Sequence, residues 1–266
     1  MASESGVGMM KALKVGCIAA FLTLPLSLPS QAASSAGFAA EYDFFVGGFR
    51  IAEVSLNARA DSSGYEARSN VVTRGVLEVL LRGRSASQVN GMRGAFGQLV
   101  PVAYTTRYNS RTGEQNTRIA YENSNPAKVV LEPAPDDPST HAKPSERNGS
   151  LDPLSAAVAA LVPTKPQDLC NRSIPVFDGK RRFDIIFLPP DPKRFDDSAP
   201  APQWNKPLIR CLGVYERISG FADGTSKDQK YFPFDVWFED SGNGVFRAVR
   251  LAGSTKLGFA IGNLRP

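Results

Sequence analysis

Alternation of apolar and polar residues with a period of two is the feature that most constrains this chain. In residues 51–60 the even-numbered positions are apolar, and the odd-numbered positions from Glu53 to Arg59 are polar. Successive side chains of a β-strand point to opposite faces, so this pattern predicts a half-buried strand. Residues 64–73 repeat the pattern, and Gly47-Gly48 predicts a turn before the first of the two strands.

Further segments with β-type composition are separated by turn clusters such as Ser110-Arg111-Thr112-Gly113. These nine strand candidates are residues 42–46, 103–109, 115–122, 128–132, 181–188, 208–218, 231–239, 245–251 and 255–261. Many short strands with sparse helix predict a mainly β fold. We expect one curved antiparallel sheet or open (half) barrel of about ten to twelve strands, with one or two short apolar helices on its concave face.

Two segments interrupt the strand pattern. In residues 151–162, Asp152 is a good N-cap and Pro153 suits the first helical position, so the segment predicts a helix. This helix is apolar nearly all round, which predicts burial on more than one side. Residues 75–82 predict a second short helix, with a buried strand as the alternative, because a brief apolar run does not distinguish the two.

The first 32 residues have the pattern of a secretory signal peptide. Lys11 and Lys14 precede an apolar run over residues 15–28, and Ser30-Gln31-Ala32 places small residues at the cleavage positions. The run is short and interrupted by Pro25, so no integral membrane span is expected in the mature chain. The sequence therefore predicts a periplasmic location and a single β-rich domain over residues 33–266, with a retained N-terminal anchor as the alternative.

Cysteine content and charge restrict the function classes. After cleavage only Cys170 and Cys211 remain, and an even pair in an oxidising compartment predicts a disulfide. The whole chain has a net charge of +5, and loss of Lys11, Lys14 and Glu4 leaves 29 basic and 25 acidic residues, or +4. These charges are scattered, so no nucleic-acid partner is expected, although loose attraction to anionic envelope surfaces is compatible with them.

Catalytic patterns are weak in this sequence. His141 is the only histidine, and it lies in a polar, proline-rich tract over residues 132–150 that is expected to be a surface loop. Histidine-based hydrolysis, a metal site and a cofactor are therefore not expected. A carboxylate-based glycan hydrolase is the enzymatic alternative, and it needs two carboxylates about 5 to 10 Å apart in a polar cleft.

A helix that is apolar all round, set against a concave sheet, either completes a solid core or leaves an apolar groove for an acyl chain. In the groove hypothesis the basic residues after the Phe177-Asp178-Gly179 turn contact an anionic head group. In the simpler interpretation they pair with Asp178 and Asp184. The candidate ligand-binding residues are Val76, Leu77, Leu80, Leu81, Leu154, Ala157, Val158, Leu161, Lys180, Arg181 and Arg182.

Several of these motifs together resemble a known family. They are Tyr42 with Gly47-Gly48, Thr73-Arg74-Gly75, Leu99-Val100-Pro101-Val102-Ala103-Tyr104, Leu151-Asp152-Pro153-Leu154-Ser155, and Val176-Phe177-Asp178-Gly179-Lys180-Arg181-Arg182-Phe183-Asp184. The chain is similar to alphaproteobacterial-type members of the bacterial periplasmic family called domain of unknown function 3108. The resemblance implies a Gram-negative envelope protein with a curved antiparallel sheet, loosely similar in shape to lipoprotein-carrier half-barrels. It implies no activity and no functional residues.

These observations predict a non-enzymatic periplasmic binding or scaffold protein that supports cell-envelope integrity. Its expected ligand is a lipid or the acyl chain of a lipoprotein, held in an apolar groove. The alternative is a structural adaptor that binds another envelope protein through a sheet edge. An apolar groove would favour the first hypothesis, and a filled core with an exposed edge would favour the second.

Overall fold

Thirteen antiparallel strands form a single sheet in the computed structural model, which describes residues 36–162, 166–190, 201–221, 229–242 and 244–266. The strands are β1 (Ala36–Val46), β2 (Phe49–Ala60), β3 (Gly64–Thr73), β4 (Arg84–Arg93), β5 (Leu99–Ser110), β6 (Gly113–Glu122), β7 (Asn125–Glu132), β8 (Arg172–Phe177), β9 (Arg182–Leu188), β10 (Ile209–Ser219), β11 (Tyr231–Asp240), β12 (Phe246–Thr255) and β13 (Gly258–Leu264). Two α-helices accompany them, α1 (Gly75–Leu81) and α2 (Pro153–Leu161). Three-residue 3₁₀ turns lie at Pro138–Thr140, Pro144–Glu146 and Pro166–Asp168.

The sheet consists of two meanders joined at the first and last strands. Its order is β7-β6-β5-β4-β3-β2-β1-β13-β12-β11-β10-β9-β8. The join is antiparallel, with Tyr42 opposite Leu264. Strands β7 and β8 are therefore the two edges, and the chain passes from one edge to the other through residues 133–171, which include α2.

The sheet curls around α2. This helix packs against β3, β4 and β5 in one meander and against β8 and β12 in the other. The two edges also approach each other, because a side-chain carbon placed at Gly179, in the β8–β9 turn, would lie 2.5 Å from Thr117 Cγ2 on β6 and 3.5 Å from Leu131 Cδ2 on β7. The connecting chain pairs with the β8 edge itself, where Leu151 N donates to Pro175 O and Phe177 N donates to Leu151 O.

The fold class predicted from the sequence is confirmed, with more strands than expected. All eleven predicted strands are present, and β4 and β8 are additional. The inward positions of β4 include Ser85, Ser87 and Val89, so little apolar alternation marks that strand. Strand β8 has only six residues and contains Pro175, which is tolerated because the strand lies at a sheet edge.

Both predicted helices are present, but their surroundings differ. Five residues of α2 are buried, with Val158 fully so, as an all-round apolar helix requires. Helix α1 has no buried residue and lies against β2 and β3 at one end of the sheet, not on the concave face. The strand alternative for residues 75–82 is therefore wrong.

The predicted signal peptide, residues 1–32, lies outside the described residues. No helix in the described part of the chain is both long and apolar enough to cross a membrane.

Candidate ligand-binding cavity

One stripe of α2 borders an apolar cavity inside the curled sheet. The stripe consists of Pro153, Ala156, Ala157, Ala160 and Leu161. Residues spaced by three and four positions share one face of a helix, so these side chains point in the same direction. Because three of the five are alanines, the helix leaves space between its backbone and the opposite wall.

Five of the eleven residues of the opposite wall are aromatic, and we call it the aromatic wall. Alternate residues of β9 and β11 supply most of it, and Phe187 packs edge-on against Phe238 with ring centroids 5.9 Å apart. The full set of wall residues is Tyr42, Leu56, Val176, Phe183, Ile185, Phe187, Phe234, Val236, Phe238, Ala248 and Leu251. The cavity has a volume of about 340 Å³. This volume lies within the range of roughly 300–1,000 Å³ found for small-molecule sites.

The chemistry of this lining suits an apolar ligand. Apart from the Tyr42 hydroxyl, the lining side chains carry no polar atom. Burial raises the pKa of Tyr42 to about 12, so its hydroxyl stays neutral at physiological pH. A charged or strongly hydrogen-bonding ligand would lose its hydration here with no polar partner in return, which costs several kcal/mol.

The N-terminus of α2 is fixed by Asp152, which is fully buried. Its Oδ1 accepts from the backbone N–H groups of Leu154 and Ser155 at 3.0 and 2.9 Å, and its Oδ2 accepts from Ser155 Oγ at 2.5 Å. Burial raises the pKa of this carboxyl to about 6, although these hydrogen bonds oppose the rise. The sequence prediction of an Asp152 cap followed by Pro153 is confirmed.

The face of α2 that points away from the cavity is anchored to β3. The hydroxyls of Tyr65 and Ser155 lie 2.7 Å apart and are buried. Because Ser155 Oγ gives its proton to Asp152, the Tyr65 hydroxyl is the donor in this contact. Helix rotation about its own axis is therefore restrained by a hydrogen-bonded chain from β3 to the N-cap.

The C-terminus of α2 is held by Arg172 at the start of β8. Its Nη1 and Nη2 donate to the carbonyl oxygens of Ala159 and Ala160, both at 2.6 Å. A cation at the C-terminal end of a helix satisfies unpaired carbonyls and opposes the helix dipole. Burial lowers the pKa of Arg172 to about 10, so it remains charged at neutral pH.

The predicted disulfide between Cys170 and Cys211 is confirmed. It joins the segment that follows α2 to β10, with Cα atoms 5.3 Å apart, and Cys211 is fully buried. The cavity-lining helix is thus fastened at its start through Asp152 and Leu151, and at its end through Arg172 and the disulfide.

The structure brings only some of the predicted ligand-binding residues to the cavity. Ala157 and Leu161 line it. Leu154 and Val158 lie on the other faces of α2, where they are packed in the core. The placement predicted for the α1 residues Val76, Leu77, Leu80 and Leu81 is corrected, because α1 lies outside the curled sheet and none of the four lines the cavity.

The basic block also lies outside the cavity lining. Lys180 accepts a backbone hydrogen bond from Ala142 N at 2.8 Å, Arg181 pairs with Asp178 at 3.4 Å, and Arg182 pairs with Asp184. Asp178 also accepts from the backbone of residues 180 and 181, and Gly179 has φ +101°, as expected for the predicted tight turn. Arg181 and Arg182 therefore have the pairing with Asp178 and Asp184 that the simpler interpretation predicts.

Each buried carboxylate in the described residues has structural partners. Asp235 accepts from Arg210, and Glu239 is bound by Lys206, Arg247 and the Trp204 indole N–H. These hydrogen bonds lower the pKa of Glu239, and the bond from Lys206 has the largest effect. Within the described ranges no group of three or more His, Cys, Asp or Glu side chains is placed to hold a metal ion.

Sequence reasoning missed the aromatic wall. The alternation of Phe232, Phe234, Val236 and Phe238 is visible in the sequence, and so is that of Phe183, Ile185 and Phe187. It identifies a buried face of each strand, but not that the two strands face the alanine stripe of α2. That placement depends on the strand order, which periodicity does not encode.

Comparison with known proteins identifies the family to which this chain belongs. No curated protein matches the chain. A similar solved structure is the crystal structure of a beta-barrel-like protein of domain of unknown function DUF1849 from Brucella abortus. The two sequences are 15% identical, and the match covers 88% of this chain and 98% of that chain with a TM-score of 0.42. The profile of a family described as "Protein of unknown function (DUF3108)" matches residues 41–188, more than half of the 266 residues. The chain therefore belongs to the DUF3108 family, as its sequence motifs predicted.

Proposed function

We propose that this protein is a non-enzymatic, periplasmic binding protein that holds the acyl chain of a lipid or lipoprotein in the open apolar cavity beside α2 and so supports the cell envelope. The observation that carries the proposal is the 340 Å³ cavity between the alanine stripe of α2 and the aromatic wall. An apolar groove is the feature by which a carrier differs from an adaptor with a filled core. The export signal predicted in residues 1–32 supports the location.

The chemistry of the interior also supports binding over catalysis. The buried carboxylates Asp152, Asp235 and Glu239 are engaged by a helix N-terminus, by Arg210 and by a Lys206–Arg247–Trp204 set, respectively. A glycosidase needs a carboxylate pair facing a polar cleft. The cavity found here is apolar.

Native mass spectrometry with palmitate as the probe tests the proposal. We expect the wild-type protein to retain one palmitate and the Ala157→Phe variant to bind it about tenfold more weakly or worse, since the ring occupies the space of the acyl chain. The matched control is Ala86→Phe, an exposed alanine on β4 outside the cavity, which should bind like wild type.

Two outcomes contradict the proposal. The first is a wild-type protein that carries no added mass, both as isolated gently and after incubation with palmitate. The second is binding that Ala157→Phe leaves unchanged while its circular dichroism spectrum shows the native fold.

A further inference from the structure

A cluster of exposed apolar side chains occupies one end of the sheet, and none of its residues lines the cavity beside α2. It comprises α1, the β1–β2 turn and the β12–β13 turn, and we call it the apolar rim. Val79 and Leu80 of α1 are 67% and 61% exposed. Phe49, the first residue of β2, and Leu257, in the β12–β13 turn, are 74% and 76% exposed. Large apolar residues grouped in this way mark an interaction surface, whereas scattered single residues do not.

Backbone contacts show that the parts of the rim are contiguous. Arg74 N, just before α1, donates to Ile51 O at 2.8 Å, and a side-chain carbon at Gly75 would lie 2.6 Å from Arg50 O. A side-chain carbon at Gly47, in the β1–β2 turn, would lie 2.6 Å from Leu257 O. Gly47 and Gly75 have φ +56° and +57°, so both close approaches require glycine.

Cations without counter-charges surround these apolar residues. Arg82 and Arg84 follow α1 directly, Arg111 N donates to Leu81 O at 2.8 Å, and Lys256 precedes Leu257. Among the described residues, none of these four side chains forms an ion pair or hydrogen bond. The neighbouring acids are paired with other cations. Glu53 pairs with Arg50, Arg74 and Arg265, Glu78 lies 3.7 Å from Arg74, and Glu114 pairs with Arg107.

We infer that the apolar rim docks the protein on the surface of an anionic phospholipid bilayer. The apolar residues project from a helix and two neighbouring hairpins at one end of the sheet, so they can enter the acyl boundary together. The unpaired cations are positioned to meet anionic head groups at the same depth. This inference goes beyond the proposed function, because docking does not require the cavity to hold a lipid.

Vesicle co-sedimentation of the full chain tests the inference. We expect binding to vesicles of phosphatidylcholine with phosphatidylglycerol to exceed binding to phosphatidylcholine alone. The Arg82→Gln/Arg84→Gln/Arg111→Gln variant should lose about tenfold or more of this binding, and so should Val79→Ser/Leu80→Ser. The matched control is Arg59→Gln/Arg68→Gln/Lys128→Gln, which removes three exposed cations away from the rim and should stay within about twofold of wild type.

A local readout separates rim docking from membrane binding by residues 1–32, which every variant retains. In Val79→Trp, fluorescence should be quenched by lipids with brominated acyl chains beyond the quenching of wild type, whose tryptophans are Trp204 and Trp237. Equal vesicle binding by the rim and control variants would overturn the inference, as would an unquenched Trp at position 79. Either result leaves the palmitate experiment unaffected.

Discussion

The Cys170→Ala/Cys211→Ala variant is expected to lose about 4 kcal/mol of its free energy of unfolding. The two cysteines are 41 residues apart, and in the chain-entropy model a cross-link over a loop of this length restricts the unfolded chain by about that amount. Alanine is the appropriate replacement because Cys211 is fully buried and serine would leave a hydroxyl among apolar neighbours. Urea unfolding of oxidised wild type and the variant measures the difference.

The position of the disulfide adds a second consequence. It fastens the segment after α2 to β10, so its loss should also loosen the cavity and weaken palmitate binding. Cys17→Ser is the control, since it removes the remaining cysteine in the predicted signal peptide and should leave the free energy of unfolding unchanged. A double variant within about 1 kcal/mol of wild type would contradict the constraint on the unfolded chain, and unchanged palmitate binding would contradict the constraint on the cavity.

Asp152 is expected to make stability depend on pH in a direction opposite to that of most carboxylates. Its pKa is about 6 in the folded protein and 3.8 for the free side chain, so between these pH values the folded protein binds more protons than the unfolded chain. The free energy of unfolding therefore falls as the pH rises through this window. This contribution, roughly 3 kcal/mol, is fully present below about pH 4 and lost above about pH 6.

The Asp152→Asn variant isolates this contribution. Asparagine keeps an oxygen that can cap α2 but does not titrate between pH 4 and pH 7, so wild type should gain about 3 kcal/mol relative to the variant as the pH is lowered across that range. Comparison with the variant is necessary because Asp43 and Glu53 have pKa values lowered by hydrogen bonds from Arg265 and Arg74, and their stabilisation is lost in acid.

Urea unfolding at several pH values provides the measurement. Asp136→Asn, which changes an exposed acid, is the control and should follow wild type at every pH. If the free energies of unfolding of wild type and Asp152→Asn change with pH in the same way, the raised pKa of the buried Asp152 carboxyl is contradicted.

Local patterns account for most of the elements of this fold. Alternation over residues 51–60 and 64–73 predicts β2 and β3 because the period of a strand is a property of the backbone. Asp152-Pro153 predicts the start of α2 because capping involves only the first turn. The pairing of Cys170 with Cys211 was predicted from their number together with the predicted export of the chain. In β4, the inward Ser85 and Ser87 removed the apolar signal, so that strand was missed.

The candidate cavity depends on long-range contacts that local sequence patterns do not predict. Residues 75–82 and 151–162 are both apolar helical segments, yet α1 lies exposed at one end and α2 lies inside the sheet. Burial of an apolar side chain is decided by which distant strands cover it, and this depends on the β1–β13 join that curls the two meanders around one helix. By itself the sequence determined eleven of the thirteen strands, the helix cap and the disulfide. The tertiary structure alone decided that Ala157 faces Phe187 and Phe238 across a cavity, because their proximity arises from long-range strand order and not from periodicity.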